Sequence, residues 1–436
     1  MTLRLRRRCF VLSFALASAV AAPILAADWP QWRGPAGNSV SDETRLPLAW
    51  NDRAGVAWKA ELPGWGASTP ILSAGAMFVT SQDDDKLLLL RVDPKNGRIV
   101  WRQQVGTGTT PRNVPGRGEQ KFHDLHNLAT PSPATDGNTV VCHFGDGLLA
   151  AYDFDGKQLW SRNLADDYGR YTIWWGHANS PVIFRGLVIS VCMQDSLADL
   201  PEHADKPAKS YVVAHDLATG RVRWHIDRQT EAKSEECDAY TTPVFYDDED
   251  GTRMVVMGGN ELTAYDPANG REIWKLPKLV GGRTVTGPTI GVGMVYTTIG
   301  MRGSMLAVRI GEKGELSRQS VAWEHRRGTS DSCCAVLWDG LLFTVTDDGV
   351  ARCFDANVGA IKWQQRLKGS YKASPVAADG RVYFLNTSGL CTVVPATQRF
   401  EKLAENLLDD ETVASPAISD GHIYIRGKKR LYAIER

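Results

Sequence analysis

Short apolar strands alternate with tight polar turns along most of the chain. In four segments an apolar strand is followed by an Asp-to-Gly turn and then by a second strand that carries a tryptophan: RVDPKNGRIVW, AYDFDGKQLW, AHDLATGRVRW and AYDPANGREIW. CFDANVGAIKW is a fifth copy. Glycine permits a positive φ at such a turn, and the aspartate can accept hydrogen bonds from the turn's backbone amides. The pattern predicts a repeat protein made of antiparallel β-strands.

A second signal precedes these copies, namely a small residue followed by proline at the start of an apolar strand. Proline costs no ladder hydrogen bond at the first residue of a strand. Aligning Gly340 with Gly380 adds one further strand of this kind, which begins with Cys334-Ala335 instead. We call the first residue of each pair the opening residue, and there are eight: Thr69, Ser132, Ser180, Thr242, Gly287, Cys334, Ser374 and Ser415.

Eight closing strands are expected to match the eight opening strands. They are predicted to end at Trp58, Trp101, Trp160, Trp224, Trp274, Trp323, Trp363 and, in degenerate form, near Phe400. The first closing strand precedes the first opening strand, whereas the last unit stops after three strands. The N-terminal strand must therefore supply the fourth strand of the last unit, which closes a ring without an exposed edge. This predicts an all-β, eight-bladed β-propeller of four-stranded antiparallel blades over residues 50–436.

The N-terminus has the layout of a cleaved signal peptide over residues 1–27. Four arginines precede an apolar run that ends in small residues at Ala26 and Ala27. Residues 28–49 are then a lead-in segment, and the mature protein is expected to be periplasmic or secreted. No later segment approaches the roughly 20 apolar residues that a membrane span needs. Three consecutive arginines leave both general and twin-arginine export open.

Charge and cysteine content exclude several classes of protein. The whole chain has 50 basic and 50 acidic side chains, and removal of the leader leaves a mild acidic excess. This gives no electrostatic basis for binding nucleic acid or anionic lipid. Without Cys9 an odd number of cysteines remains, spread thinly over a long chain, so disulfides are not the framework of the fold.

The spacing Ala-x-Asp-x-x-x-Gly-x-x-x-Trp resembles the tryptophan-docking motif of the pyrroloquinoline-quinone-like (PQQ-like) propeller repeat. That repeat builds quinoprotein alcohol dehydrogenases, an outer-membrane assembly lipoprotein and many secreted proteins of unassigned role. The resemblance covers roughly residues 50–436, and the lead-in DWPQWRGPAGNSVS resembles that of the unassigned secreted group. It implies the propeller fold, but fold alone does not fix function.

The long connections lie on one face of the predicted propeller, where the segments before the opening strands converge on the channel mouth. Ligand sites favour converging loops on a rigid scaffold. Ten residues are therefore candidates for holding a ligand or cofactor: Trp65, Trp175, His177, Asn179, Glu236, Asp238, Arg283, Cys333, Cys334 and Lys372. The alternative is that these polar side chains only solvate the wide end of the propeller.

Cys333 and Cys334 are the most specific single feature, because chance seldom places two rare residues side by side. In the quinoprotein alcohol dehydrogenases an adjacent-cysteine disulfide covers one face of the quinone, so the resemblance implies such a role here. In those enzymes, however, the pair lies in an early loop, whereas here it opens the sixth blade. The alternative is that the two cysteines are small buried residues at the start of a strand, since free cysteine is among the most buried residue types.

Candidate metal ligands are scattered. His123 and His126 are spaced for a transition metal, yet they lie in a long loop without a paired motif. Glu236, Asp238 and Asn179 offer oxygen atoms for Ca²⁺, the ion that polarises the quinone in the dehydrogenases, but their spacing matches no calcium loop. We therefore assign no metal ligands, and the sequence leaves PQQ with Ca²⁺ open as a cofactor.

Three functions remain open. The first is an exported, monomeric binding or scaffolding propeller that uses the channel mouth for a protein or glycan partner. The second is a PQQ-dependent oxidoreductase, with Arg283 and Lys372 as partners of the quinone carboxylates. The third is an outer-membrane assembly factor, although no lipid-anchor cysteine ends the leader. A phosphate-binding loop, a nucleophile elbow and a Cys-x-x-Cys-His haem motif are all missing from the sequence.

Overall fold

The computed structural model describes residues 28–51, 53–109, 112–114, 118–120, 122–198, 205–301 and 303–436. The predicted signal peptide, residues 1–27, lies outside these residues. No helix in the described ranges is long and apolar enough to cross a membrane.

Eight antiparallel sheets form an eight-bladed β-propeller, as the repeats predict. Numbered along the chain and read from the axis outward, the strands of the first four blades are Ile71–Ser73, Ala76–Asp83, Lys86–Val92 and Ile99–Thr107; Ala134–Thr135, Thr139–His143, Leu148–Asp153 and Gln158–Asn163; Val182–Phe184, Leu187–Cys192, Tyr211–Asp216 and Val222–Asp227; and Val244–Asp248, Gly251–Gly258, Glu261–Tyr265 and Glu272–Leu276.

Blades five to eight have the same order. Their strands are Thr289–Gly291, Met294–Thr298, Met305–Arg309 and Val321–His325; Val336–Trp338, Leu341–Val345, Val350–Asp355 and Ile361–Arg366; Val376–Ala378, Arg381–Leu385, Leu390–Pro395 and Ala404–Leu407; and Ala417–Ser419, His422–Arg426, Arg430–Ile434 and Val56–Glu61. Short elements lie between them: the α-helix Leu164–Tyr168, the 3-10 helices Ser234–Cys237 and Arg318–Ser320, and the hairpin of Arg112–Val114 with Gly118–Gln120.

The N-terminal strand completes the last blade, which confirms the predicted ring closure. Val56–Glu61 pairs antiparallel with Arg430–Ile434, with Trp58 opposite Ala433. The buried guanidinium of Arg426 adds a second link, because it donates to the hydroxyl of Ser68 and the carbonyl of Thr80 in the first blade. The ring therefore has no free sheet edge between its first and last blades.

Neighbouring blades pack through the tryptophans of the closing strands. The Nε1 of Trp101 donates to the carbonyl of Phe154 at 2.9 Å, and its ring lies against Gly156 in the turn of the next blade. Trp160 makes the same contacts with Leu217 and Gly220, at 2.8 Å. A Cβ on either glycine would approach the indole too closely, so the absence of a side chain is a packing requirement here.

The structure differs from the sequence-based prediction in three details of the closing strands. The tryptophan does not end its strand: Ile99–Thr107, for example, continues beyond Trp101. Phe400 is not in a closing strand, because the fourth strand of blade seven is Ala404–Leu407. Its ring instead packs edge-on against Trp363, with centroids 5.3 Å apart. Blade four also gains a short fifth strand, Gly314–Glu315, which pairs in parallel with its outer strand.

Candidate functional site

The eight opening residues form a ring around the propeller axis. In most of them the backbone N–H donates to the side chain of the opening residue in the next blade. Two arcs result, one running from Thr69 to Thr242 and the other from Gly287 to Ser415. The first arc ends because Gly287 has no side chain to accept the next bond. Hydroxyl side chains at the strand starts thus tie the blades together at the channel.

Above this ring lies an axial cavity of about 430 Å³. Each blade contributes to its wall: Ala67, Thr69, His123, Leu125, His126, Thr130, Ser132, Trp175, Ala178, Ser180, Tyr240, Thr242, Arg283, Val285, Asp331, Ser332, Lys372, Ser374, Val413, Ala414 and Ser415, with Trp32 from the lead-in segment. A concave site of this size, formed where many loops converge on a rigid scaffold, is typical of a ligand pocket.

The lead-in segment crosses the opposite end of the channel. Trp29 pairs with Leu72 of blade one, and Val40 pairs with Ala377 of blade seven. Between these points Trp32 lines the cavity. Trp32, a residue from outside the repeats, therefore forms part of the floor of the cavity.

Arg33 anchors the lead-in segment beneath the cavity. Its side chain is fully buried and donates to the hydroxyls of Ser39 and Thr289 and to the carbonyls of Pro288 and Ala335. Burial lowers the pKa of Arg33 from its ordinary value. The guanidinium donates to residues of blades five and six, so Arg33 holds the lead-in segment in place and does not line the cavity.

Two cations lie on one side of the cavity, each held by carboxylates. Lys372 donates to Asp347 at 2.7 Å and to the hydroxyl of Ser332 at 3.0 Å. Arg283 contacts Glu235 at 3.2 Å and Asp331 at 3.4 Å. These ion pairs fix the two long side chains in position before any ligand arrives.

The buried carboxylate of Asp347 is stabilised in its charged form. Burial alone would raise the pKa of Asp347, but Lys372 and Ser332 outweigh burial and hold it below its ordinary value. The backbone N–H groups of Asp331 and Ser332 donate to the same carboxylate. Asp347 is thus a positioning group behind the cavity wall.

Aromatic and imidazole rings lie on another side of the cavity. Trp175 is half-buried, and its ring meets that of His123 edge-on at 5.9 Å. Its Nε1 donates to Glu235 at 3.3 Å. Partial burial lowers the pKa of His123, and the charges of Lys372 and Arg283 add to this effect while Asp124 opposes it. The charges of both cations therefore influence His123, which lines the same cavity.

Three of the ten predicted site residues line this cavity: Trp175, Arg283 and Lys372. Trp65 lies at the rim, where it borders a separate small cavity with Asp124 and Lys428. The ammonium of Lys428 lies 5.8 Å from the centroid of the Trp65 ring. Whether any of these residues contacts a ligand stays a prediction.

His177 and Asn179 point into the blades. His177 is fully buried and stacks on Tyr171 with ring centroids 4.6 Å apart. The amide of Asn179 donates to the carbonyl of Thr241 at 2.7 Å. Both side chains contribute to packing between blades.

Glu236 and Asp238 also lie outside the cavity. Glu236 accepts a hydrogen bond from Asn260 at 2.8 Å on an outward-facing surface. Asp238 is buried and accepts from the backbone N–H groups of Trp174 and Asp195. Burial raises the pKa of Asp238 to about 7. The three residues proposed as oxygen ligands for Ca²⁺ therefore face different partners.

Cys333 and Cys334 are buried free thiols. The Sγ of Cys334 accepts the backbone N–H of Gly287 at 3.1 Å, so this thiol replaces a hydroxyl in the ring of opening residues. Burial raises the pKa of Cys333 well above its ordinary value. Neither thiol lines the axial cavity.

Strand alternation explains which residues face the cavity. In an extended segment, successive side chains point to opposite sides. The residue two positions before each opening residue lines the cavity in all eight blades, as Lys372 does before Ser374. The residue one position before each opening residue is buried in every blade, as Asn179 and Cys333 are. Counting back two positions from each opening residue would also have identified Ser332, which is not among the ten candidates chosen for their reactive side chains. Trp32 and Asp331 were missed as well.

The donor set does not fit a quinone with Ca²⁺. The cysteine pair lies beneath the wall, and the oxygen atoms of Glu236, Asp238 and Asn179 are turned away from the cavity, as described above. In the described part of the chain no three His, Cys, Asp or Glu side chains are grouped to hold a metal ion.

Comparison with solved structures identifies similar propellers at low sequence identity. The quinohemoprotein alcohol dehydrogenase from Comamonas testosteroni is 14% identical with a TM-score of 0.66, and the alignment covers 93% of this chain and 80% of that one. A europium-containing methanol dehydrogenase is 13% identical with a TM-score of 0.66, covering 94% and 89%. BamB from Moraxella catarrhalis is 12% identical with a TM-score of 0.58, covering 86% and 98%. Such likeness shows the fold alone.

Sequence comparison gives a family. No curated protein matches the chain. A family model of PQQ-like repeats, described as outer membrane protein assembly factor BamB, matches residues 39–198, 208–315 and 302–400. Because these matches span most of the propeller, the chain belongs to this family of PQQ-like repeat β-propellers.

Proposed function

We propose that the protein is an exported binding propeller that holds a glycan in the axial cavity at its channel mouth. One observation carries the proposal: all eight blades and the lead-in segment line a single cavity of about 430 Å³. Small-ligand sites typically measure about 300–1,000 Å³. A protein partner would more commonly use a broad surface.

The chemistry of the wall suits a sugar ring. A sugar has an apolar face of C–H groups and an edge of hydroxyls, so it needs an aromatic plane together with convergent polar groups. Trp175 and Trp32 supply indole surface within the cavity. The hydroxyls of the opening residues and the charged side chains supply the polar groups. An indole combines large contact area with little loss of conformational entropy on binding.

Export rests on the N-terminal sequence and on the family. Four arginines, an apolar run and terminal small residues form the leader. The family model carries the description of an outer membrane assembly factor, which supports a cell-envelope location. Intact mass of the protein recovered outside the cytoplasm tests this. We expect a chain that begins at Asp28, and an exported species that retains residues 1–27 would contradict cleavage.

Calorimetric titration with a panel of di- and trisaccharides tests the binding function. Trp175→Ala should weaken the binding of any saccharide that the wild-type protein takes up by roughly 10-fold or more. Trp65→Ala is the matched control, because this indole lies at the rim outside the cavity.

The two variants separate the alternatives. Equal loss in both variants would indicate that the saccharide contacts the rim beside Trp65 and is not confined to the axial cavity. Failure of the whole panel to bind would reject the glycan function.

A further inference from the structure

The hydroxyls of the opening residues face the axial cavity, and within the described part of the chain none of them donates to an acceptor of the protein. Six opening residues contribute them: Thr69, Ser132, Ser180, Thr242, Ser374 and Ser415. Five accept a backbone N–H through the oxygen, which leaves the hydroxyl proton to donate. Within the described part of the chain, the Oγ1 of Thr69 has no hydrogen-bond partner although the residue is 1% exposed. A buried polar group of this kind gains free energy when a ligand supplies the missing partner.

The cations of the wall also keep donors for a ligand. Arg283 uses only some of its guanidinium N–H groups on Glu235 and Asp331, and an ammonium has more donors than the two acceptors of Lys372 occupy. Both side chains line the cavity. Their ion pairs hold them in place, so little conformational entropy is lost when a ligand binds.

The acids that hold these cations are mostly outside the cavity. Asp347 lies behind the wall and is satisfied by Lys372 and by Ser332. Glu235 is an exposed residue of the rim. Of the described residues that line the cavity, only Asp331 is acidic, and it is paired with Arg283. The lining therefore has an excess of donors, with two cations against one acid, while Asp347 and Glu235 pair with those cations from outside the cavity.

From this excess we infer that the ligand is an acidic saccharide, recognised through the carboxylate of a uronic acid. The inference rests on the proposed glycan function and deepens it. The carboxylate lies between Arg283, Lys372 and His123, which approach from three different blades. The hydroxyl ring donates to the ring and hydroxyl oxygens of the sugar, and Trp175 packs against its apolar face. Charge-assisted hydrogen bonds to a carboxylate are stronger than those to neutral oxygens, so the acid is preferred over its neutral counterpart.

Calorimetric titration with matched acidic and neutral trisaccharides tests this inference. Trigalacturonate, trimannuronate and cellotriuronate are each compared with galactotriose, mannotriose and cellotriose on the intact mature protein. We expect at least one acid to bind roughly 10- to 100-fold more tightly than its neutral partner. The preference should shrink as salt is added, because salt screens exposed charges.

Variants of the two cations locate the preference. Arg283→Gln should reduce it by roughly 10-fold, because the loss of the charge weakens the binding of the acidic sugar more than that of the neutral one. Lys372→Met tests the second cation and should also reduce the preference for the acid. Lys372→Arg keeps the positive charge and should restore that preference. Lys428→Met is the control, because this lysine lies at the rim beside Trp65. A folded Arg283→Gln protein with an unchanged preference would contradict the inference.

The outcomes distinguish the inference from the function on which it rests. Neutral trisaccharides that bind as tightly as the acids, with loss in Trp175→Ala, would overturn the acidic ligand and leave the glycan function standing. If no trisaccharide of either kind binds, both proposals are rejected.

Discussion

The indole of Trp58 lies directly against the backbone of Gly97: a Cβ added to Gly97 would approach the indole Cε3 to 2.5 Å. The indole Nε1 donates to the carbonyl of Pro94 at 2.8 Å. Trp58 belongs to the strand that completes the last blade, and Gly97 lies in a turn of the first blade. This contact therefore joins the two ends of the propeller.

Substitution of Gly97 measures the contact. Gly97 has φ +73 and Gly75 has φ +72, so alanine meets the same backbone strain at both positions. Only at Gly97 does the new methyl group collide with a neighbour, since nothing lies within 4 Å of a Cβ at Gly75. We expect Gly75→Ala to cost about 1–2 kcal/mol and Gly97→Ala about 1–3 kcal/mol more. Thermal unfolding of both variants decides this, and equal costs would mean that the Trp58 contact is unimportant.

Removal of the N-terminal strand tests ring closure. Deleting Val56–Glu61 leaves Arg430–Ile434 as an unpaired edge, which is a template for association with other chains. We expect soluble oligomers or aggregates in light scattering, together with a lower melting temperature than the full mature chain. A monomeric deletion variant with an unchanged melting temperature would show that the last blade does not need this strand.

The repeat pattern predicted the blade count and ring closure because most blades carry three local signals: a small opening residue, a turn glycine and a tryptophan in the closing strand. It failed where a blade lacks them. Blade seven has no tryptophan in its closing strand, so Phe400 was placed in that strand although it lies before it. Its aromatic ring was a true packing signal, because it contacts Trp363. The signal identified a contact between blades and not a strand position.

The site was harder to predict because its residues meet only in three dimensions. Chemical reactivity selected His177 and Asn179, whose side chains pack inside the blades. The alternating direction of side chains within each opening segment distinguishes these buried residues from Lys372, which faces the cavity. No local pattern marks Trp32, because its place at the cavity floor depends on how the lead-in segment crosses the channel.

Cys334 should tolerate serine but not alanine. Its Sγ accepts the backbone N–H of Gly287, and hydroxyls make the equivalent bonds in other blades. Cys334→Ser keeps an acceptor, whereas Cys334→Ala leaves a buried N–H unpaired and should cost about 1–3 kcal/mol. Chemical denaturation of both variants provides the measurement. Greater destabilisation by serine than by alanine would show that the thiol acts mainly as an apolar group.

Acid should destabilise the fold through two buried histidines. Burial lowers the pKa of His143 to about 3 and that of His215 to about 4, from an ordinary 6.5, with added repulsion from His215 and Arg162 respectively. Between the ordinary pKa of 6.5 and the two lowered pKa values, the unfolded chain binds more protons than the folded one. The stability that these histidines contribute is therefore fully present above pH 6.5 and is lost as the pH falls toward 4. The melting temperature should fall across this range, and His143→Phe should flatten the dependence.

Asp238 acts in the opposite direction in the same experiment. Burial raises the pKa of Asp238 to about 7 from 3.8, so its contribution to stability is present at low pH and is lost as the pH rises through this range. Asp238→Asn should therefore make the acid-induced fall of the melting temperature steeper. The slope is the readout, because the substitution itself can shift the absolute melting temperature. A slope unchanged in both variants would contradict these assignments.

The fold that this chain shares with quinoprotein dehydrogenases makes PQQ the sharpest ligand to test. A quinone held as in those enzymes needs cations that pair with its carboxylates, a flat group that covers one face of its ring, and oxygen ligands for Ca²⁺. Arg283 and Lys372 offer the first, but Cys333 and Cys334 lie beneath the cavity wall, and Asp238 spends its oxygens on backbone amides. We therefore expect no binding at micromolar PQQ, with or without Ca²⁺, and no dye reduction with small alcohols. Tight Ca²⁺-dependent binding that is lost in Arg283→Ala would show instead that the cavity rearranges to accept the quinone, and it would favour the oxidoreductase over the glycan-binding propeller.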